Sequence, residues 1–459
     1  MTDSRRGYHF LGIGGAGVSG LARLMLGAGH PVSGSDQRSG VTTGALERLG
    51  AVVSIGHSAE NLPTDAGHLV YSAAVPSDNP ELVEARRRGI PVLSRAEMLA
   101  LVMRGKTGIA IAGTHGKTTT SGMTSSIFLV GGADPSILMG GDWPTISGNA
   151  RAGAGRYFIA EACEAFDSFL ELSPDIAALT NVEADHLDWY GSLAGVLLGY
   201  RRFLRRVTPD GVVIGCGDDE NVRLLLAEQT LRTVTFGLGS GQKYTAERVD
   251  LDRPQAAFDL LVSGKSAGRV ELGVPGAHNV LNALAASAIA LECGLSFAAV
   301  RDGLLAFTGV GRRFETLGDV AGIRVMDDYA HHPTEAAATL AAARRALQRH
   351  LTVVFQPHLY SRTQLLLEEF STAFVDADRV WITEIYGARE EPIEGVSGQA
   401  LAERVQQAFP SCDIRFCSDR DEILNRLAEE TPEGGVVMTM GAGDIRELGE
   451  RLVERLKLV

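Results

Sequence analysis

Lysine is nearly missing from this chain: of 43 basic residues only five are lysine, at positions 106, 117, 243, 265 and 457. Cysteine is scarce too, with Cys163, Cys216, Cys293, Cys412 and Cys417 and no C-x-x-C pair. An odd count without paired spacing argues against a disulfide framework and a cysteine-built zinc site, and fits reduced thiols. No run of about 18 uncharged apolar residues occurs, so no membrane span is expected. The segment up to Phe10 has two arginines but no apolar stretch with a cleavage site, so no leader peptide is expected. Positive charge is in deficit, and the formal net charge is -13. Such a protein repels phosphate backbones, which argues against nucleic acid as a partner. A small phosphate-bearing ligand stays compatible, because local amides and a few cations can hold it. These traits predict a cytoplasmic protein; the expected state, which none of them decides, is a monomer or weak homodimer.

What is present is ordinary for a globular chain: 45% hydrophobic and 22% charged residues over 459 positions. At about 100–200 residues per domain, that length predicts roughly three domains. Strands are expected at 8–13, 31–36, 69–72 and 91–93, with a helix at 18–28, a βαβ rhythm that implies a parallel sheet. A second unit is read from strands at 108–112, 157–160 and 176–180 and helices at 117–129, 193–206 and 279–291. Hairpins are expected between Val249 and Gly276. A third unit shows strands at 323–327, 352–355, 379–384 and 435–440, and helices at 333–349, 362–373 and 445–457. The expected divisions are residues 1–105, 106–310 and 311–459.

Four constellations carry chemistry. The first is Gly12-Ile13-Gly14-Gly15-Ala16-Gly17, after a strand and before a helix, with Asp36 ending the next strand. This is a dinucleotide-binding fingerprint in which glycines let the backbone approach a diphosphate. Taken alone it fits NAD or NADP, another diphosphate such as a UDP-sugar, or a tight turn. The second is Gly113-Thr114-His115-Gly116-Lys117-Thr118-Thr119, again between strand and helix. Its amides can cradle phosphates, Lys117 can reach the terminal ones, and Thr118 can hold Mg²⁺. The bland alternative is a glycine turn with a surface lysine.

The third constellation is Glu161 at a strand end and His186 within Asn181-Val182-Glu183-Ala184-Asp185-His186. Ligands of open α/β sheets gather at strand carboxyl ends, and a carboxylate with a neutral imidazole suits a divalent metal. A solvated loop carboxylate is the alternative. The fourth comprises Gly311-Arg312-Arg313-Phe314, then Asp327-Asp328-Tyr329-Ala330-His331-His332-Pro333-Thr334-Glu335, then Gln356-Pro357-His358-Leu359-Tyr360-Ser361-Arg362. Paired arginines can clamp a γ-phosphate. The histidine pair reads as a metal site or, more simply, as the run-up to a helix at Pro333.

These stretches, in this order, together with His278-Asn279-Val280-Leu281-Asn282-Ala283 and Gly441-Ala442-Gly443-Asp444-Ile445, resemble the Mur ligase family over nearly the whole chain. The resemblance implies three α/β domains: a Rossmann-like N-terminal domain that binds a UDP-sugar, a central P-loop ATPase domain with a mostly parallel sheet, and a C-terminal Rossmann-like domain. It implies ATP-dependent ligation of L-alanine to the lactoyl carboxylate of UDP-N-acetylmuramate through an acyl phosphate. ATP would lie on Gly113, Thr114, Gly116, Lys117, Thr118 and Thr119. Asn279 and Asn282 would flank the adenine, Arg312 or Arg313 would meet the γ-phosphate, and Asp327 would lie near the ribose. Two Mg²⁺ are implied, with Thr118, Glu161 and His186 as ligands. Gly14, Gly15, Gly17, Ser19, Asp36, His57, Ser72 and His115 would contact the sugar nucleotide. His331, His358 and Arg362 would line the amino-acid site.

The stretch Glu161–Ser168 is less acidic than the family pattern, and Leu359 stands where some relatives carry a basic residue. Several members with other amino-acid substrates hold their metal with a carbamylated lysine. No lysine lies between Lys117 and Lys243 here, so none is expected. The rival readings are a ligase that attaches a preformed tripeptide, a nicotinamide oxidoreductase suggested by the first motif, and a silent ATP-binding partner protein.

Overall fold

The computed structural model describes residues 7–72, 75–252, 255–388 and 390–458. The expectation of no leader rests partly on residues 1–6, outside that set. The chain divides into two compact units, Met1–Glu247 with Asp259–Val270 and Leu281–Phe307, and Arg248–Phe258 with Glu271–Val280 and Thr308–Val459. Among the described residues no helix is long and apolar enough to cross a membrane.

The first unit carries a five-stranded parallel sheet and the body of a ten-stranded one. The smaller runs in the order Val52–Ile55, Val32–Asp36, Gly7–Leu11, Ala66–Tyr71, Val92–Ser94. In the larger, Val212–Cys216, Ile176–Leu179, Thr107–Ala112, Tyr157–Glu161 and Ser136–Trp143 lie side by side and parallel. Ile109, Ala110 and Ile111 are fully buried. Such continuous apolar runs are what strands covered on both faces require. The two sheets share one core through the helix Ala16–Gly27, whose Leu21 and Met25 belong to the same cluster as Leu138 and Ala150. The approach is close: a Cβ on Gly20 would lie 2.4 Å from Leu138 Cδ1. Asn149 Nδ2 donates to Ala16 O at 2.6 Å across the same seam.

The expected hairpin is present between Ala257–Val262 and Lys265–Glu271. Ser263 and Gly264 turn it at φ 51° and 75°, the twist-matching pattern of a two-residue turn.

The second unit holds a six-stranded sheet, antiparallel at one edge (Glu315–Val320 on Ile323–Asp328) and parallel elsewhere. Val353, Val354, Phe355, Val436 and Val437 form its fully buried centre. The helix expected over 362–373 is instead two, Tyr360–Leu365 and Leu367–Thr372, broken at Leu366 with φ -111° and ψ 23°. Leu366 and Leu367 both pack on the core. Neighbours about 100° apart on a straight helix do not share a face, so the helix bends.

Candidate active site

The first glycine loop leaves the strand Gly7–Leu11 with Gly12 at φ 68°. Gly12 N and Ile13 N donate to Ser35 O, and Gly14 N donates to Asp36 Oδ2 at 2.8 Å. Asp36 therefore fixes the loop. A Cβ at Gly14 would stand 2.9 Å from that carboxylate and push it off the Gly14 amide. Gly17 faces Arg95 as closely, at 2.7 Å from its Cδ. Ser19 is buried and donates to Ala16 O. Ser72 follows the strand Ala66–Tyr71 beside Gly12.

His57 joins a polar knot that sequence reading missed. Its Nδ1 lies 3.0 Å from Glu81 Oε1, and Glu81 also receives His9 Nε2 at 2.6 Å and Ser35 Oγ at 2.9 Å. Burial raises the Glu81 pKa, but the bonds from His9, Ser35 and His57 outweigh it and hold the carboxyl below its usual range.

The second glycine loop connects Thr107–Ala112 to the helix Lys117–Val130. Gly113 (φ 134°) and Gly116 (φ 80°) are left-handed, and each is pressed by a neighbour. A Cβ would lie 2.0 Å from Thr180 Oγ1 at the first and 2.4 Å from Asn282 Oδ1 at the second. The strand end Thr180-Asn181 braces the loop: Thr180 Oγ1 donates to His115 O at 2.6 Å, and His115 N donates to Asn181 Oδ1 at 2.8 Å. Thr114 Oγ1 accepts from Glu183 N, and His115 Nε2 lies 3.3 Å from Glu183 Oε2. Thr118 and Thr119 are half-buried in the first turn, where helix amides favour an anion. Asn282 accepts from Thr120 Oγ1, whereas Asn279 donates to Pro275 O.

Lys117 Nζ donates to Gly113 O at 2.5 Å, to Thr114 O at 3.0 Å and to Glu164 Oε1 at 3.0 Å. Burial alone would lower its pKa; the charge of Glu164, then Cys163 and Glu161, more than reverses that and keeps the ammonium charged. Glu161 ends its strand and accepts from Gly140 N at 2.6 Å. A Cβ at Gly140 would stand 2.8 Å from Glu161 Oε2. His186 adopts a left-handed φ of 52° ahead of the short helix Leu187–Tyr190, with Nε2 3.9 Å from Glu164 Oε1. Glu161 is held at Gly140 N, while Lys117 and His186 both approach Glu164, to which sequence reading assigned no role. Its spacing three residues past Glu161 was the available signal. After His186, Arg201 pairs with Glu228 and Arg202 with Asp167.

In the second unit the two arginines part. Arg312 donates to Asp327 Oδ2 at 3.0 Å, Gly443 O at 3.1 Å and Gly441 O at 2.6 Å. Arg313 lies 3.7 Å from Glu335 Oε1. Both guanidinium groups sit over the Tyr329 ring, at 4.8 and 5.3 Å. Asp327, expected near a ribose, is fully buried and takes a further bond from Thr439 Oγ1 at 2.8 Å. His331 and His358 meet edge to face at 5.8 Å, and Arg362 Nη1 is 3.2 Å from His358 Nδ1. The three expected amino-acid contacts therefore converge. Tyr386, which sequence reading missed, stacks on His358 at 5.7 Å. Leu359 starts the next helix at φ 70° and ψ 132°, a strained conformation for a branched side chain. His332 accepts from Thr334 N and caps the helix Pro333–Leu347.

Two groups here titrate in opposite senses. Burial, with the charge of Arg313, pushes His278 down to about 4. Burial pushes Asp328 up to about 6, against Arg313 and the amides of Ala330 and Phe314. The folded chain refuses a proton at His278 that the unfolded chain takes, so that stability is lost as pH falls from 6.5 toward 4. At Asp328 the fold favours the protonated form, so that stability is present at low pH and lost as pH rises through 6. Each is worth at most about 3 kcal/mol, less for His278, whose ring keeps some solvent contact. The two offset each other between those values. His278→Gln removes one side. The variant should gain stability relative to wild type as pH falls across that window, by up to about 3 kcal/mol. Urea midpoints measured across it check this, and a constant offset would contradict it.

Comparison with known proteins points to one family. Residues 7–107 match the Mur ligase family catalytic domain, 111–290 the Mur ligase middle domain and 312–443 the Mur ligase glutamate ligase domain. The UDP-N-acetylmuramate–L-alanine ligase of Trichlorobacter lovleyi is 47% identical over 98% of both chains. The crystal structure of the UDP-N-acetylmuramate-alanine ligase from Thermotoga maritima is 30% identical, with a TM-score of 0.82 over 98% of this chain and 99% of that one. A murein peptide ligase from Psychrobacter arcticus is 25% identical, with a TM-score of 0.71 over 99% of each.

Proposed function

The chain belongs to the Mur ligase family, and from that premise we propose that it joins L-alanine to UDP-N-acetylmuramate at the expense of ATP. The full-length likeness to alanine ligases, at 47% in sequence and with a TM-score of 0.82 against 0.71 for the peptide ligase, carries the choice of amino acid. In this reading the lactoyl carboxylate attacks the γ-phosphate of ATP, forming an acyl phosphate and ADP. The neutral amine of alanine then attacks the acyl carbon, a tetrahedral intermediate forms, and phosphate leaves.

The protein's work is alignment and charge neutralisation. Lys117 exchanges the carbonyls of Gly113 and Thr114 for the terminal phosphates. Arg312 or Arg313, both stacked over Tyr329, meets the γ-phosphate. Arg362 anchors the alanine carboxylate, with His331 and His358 along its side. Gly14, Gly15, Gly17, Ser19 and Ser72 offer the UDP diphosphate a strand-end cradle fixed by Asp36. The donor set of Thr118, Glu161 and His186 fits Mg²⁺, which when bound neutralises charge on the phosphates. We assign two such ions, a division of labour at about residues 105 and 310, and work as a monomer or weak homodimer in the cytoplasm, where both nucleotides are made.

ADP release should require both UDP-N-acetylmuramate and L-alanine. Equal release without the amino acid counts against a ligase, and faster turnover with a preformed tripeptide counts against alanine. Glu161→Ala and His186→Ala should each raise the Mg²⁺ needed for half-maximal rate about tenfold or more. A Mg²⁺ titration at saturating ATP measures this, and unchanged curves for both remove them from the site.

A further inference from the structure

The knot around Glu81 lies beside the first glycine loop and outside the chemistry assigned so far. Glu81 sits in the first turn of the helix Pro80–Arg87, its backbone N held by Asn79 Oδ1 at 3.0 Å, and its side chain is fully buried. Besides the bonds from His9, Ser35 and His57 it takes Asn61 Nδ2 at 3.3 Å, so each carboxylate oxygen meets two donors. His9 is itself fully buried, with Nδ1 2.8 Å from Ser33 Oγ. Stability alone does not call for such a group, because apolar packing often serves as well.

The knot opens to solvent at His57, whose side chain is 19% exposed. His57 follows the strand Val52–Ile55, with Gly56 N donating to Asp36 O at 2.8 Å and Asn61 Nδ2 to Gly56 O at 3.0 Å. A nucleotide on the first loop of an open α/β sheet runs toward the carboxyl end of the next strand. Here that end is Asp36, and His57 ends the strand beside it. The Nδ1 of His57 faces two acceptors. One is the charged Glu81; the other is the Ser35 hydroxyl at 3.0 Å, which directs its own proton to Glu81 Oε2. The ring proton therefore sits on Nδ1. The neutral imidazole then carries its acceptor lone pair on Nε2, which has no partner among the described residues.

We propose that Glu81 is a positioning residue for the sugar nucleotide: it keeps the proton of His57 on Nδ1 and so presents Nε2 to a donor of the uridine, the uracil N–H or a ribose hydroxyl. The opposite tautomer would meet that donor with a donor. The inference rests on the reading that the first glycine loop holds the UDP diphosphate.

The test is calorimetric titration of the full chain with UDP-N-acetylmuramate and, separately, with a non-hydrolysable ATP analogue. His57→Ala should weaken the sugar nucleotide about tenfold, since it leaves one donor of the ligand unmet. Glu81→Leu, of similar size, frees the Ser35 hydroxyl to donate to His57 Nδ1 and should weaken the sugar nucleotide as much, with the analogue unaffected. In the His57→Ala background Glu81→Leu should add less than about twofold, because the residue it acts through is gone. Losses that multiply in the double variant, or wild-type affinity in Glu81→Leu, overturn the proposal. If the leucine variant does not fold, the tautomer of the wild-type ring decides. It is read from imidazole ¹H–¹⁵N correlations at about pH 8, where ordinary histidines are neutral, the His57 signals being those absent from His57→Ala. A proton on Nδ1 is expected, and a proton on Nε2 overturns the proposal. Wild-type protein that binds the analogue but not UDP-N-acetylmuramate overturns the reading of the first loop, and this proposal with it.

Discussion

Lys117→Ala is expected to leave no detectable ligation, a loss on the order of 10²–10³ or more in rate. The ammonium has three partners in the ligand-free protein, two of them carbonyls of the loop that precedes it. A terminal phosphate is a stronger partner than a carbonyl, so in the proposed role the lysine exchanges one for the other. No further lysine follows it in the chain until Lys243. The alanine variant also leaves Glu164 buried beside its missing partner, so a melting curve must accompany the rate measurement. Folded variant protein within about threefold of the wild-type rate would show that the loop does not bind the reacting phosphates.

Gly113→Ala comes next in severity. The new methyl would stand 2.0 Å from Thr180 Oγ1 and about as close as 3.0 Å to Asn181 O, on a backbone at φ 134°. Thr180 cannot step aside without releasing His115 O. Overpacking of about 1–3 kcal/mol and left-handed strain of about 1–2 kcal/mol then add. The sum appears as a lower melting temperature and weaker ATP binding, read by thermal melts and calorimetric titration. Gly132→Ala is the control: it too has positive φ, at 73°, but nothing lies within 4 Å of its added carbon. Equal behaviour of the two variants would remove the packing argument.

The junctions of strand, glycine loop and helix were legible in the sequence because each is local. Apolar runs, a glycine and a first helical turn sit within a dozen or so positions, and the strand ends then locate Glu161 and His186. Other features were not local. Glu164 reaches a lysine 47 positions away. Tyr386 meets His358 through a bridge between two loops. The strand Ser136–Trp143 escaped notice because Gly140 and Gly141 break its apolar pattern, yet Gly140 is what lets Glu161 approach. The resemblance placed Asp327 near a ribose; its full burial beneath Arg312 and Thr439 joins residues far apart in the chain, which no local pattern shows.

The seam between the helix Ala16–Gly27 and the strand Ser136–Trp143 has a kinetic meaning. That helix begins at the first glycine loop, and that strand lies beside the one ending in Glu161. With no room for even one carbon between Gly20 and Leu138, the two loops cannot wander independently. In the proposed reaction, a carboxylate held by one and a phosphate held by the other would start with a high effective molarity, because the freedom lost in bringing reactants together is given up mainly when the chain folds rather than at each turnover.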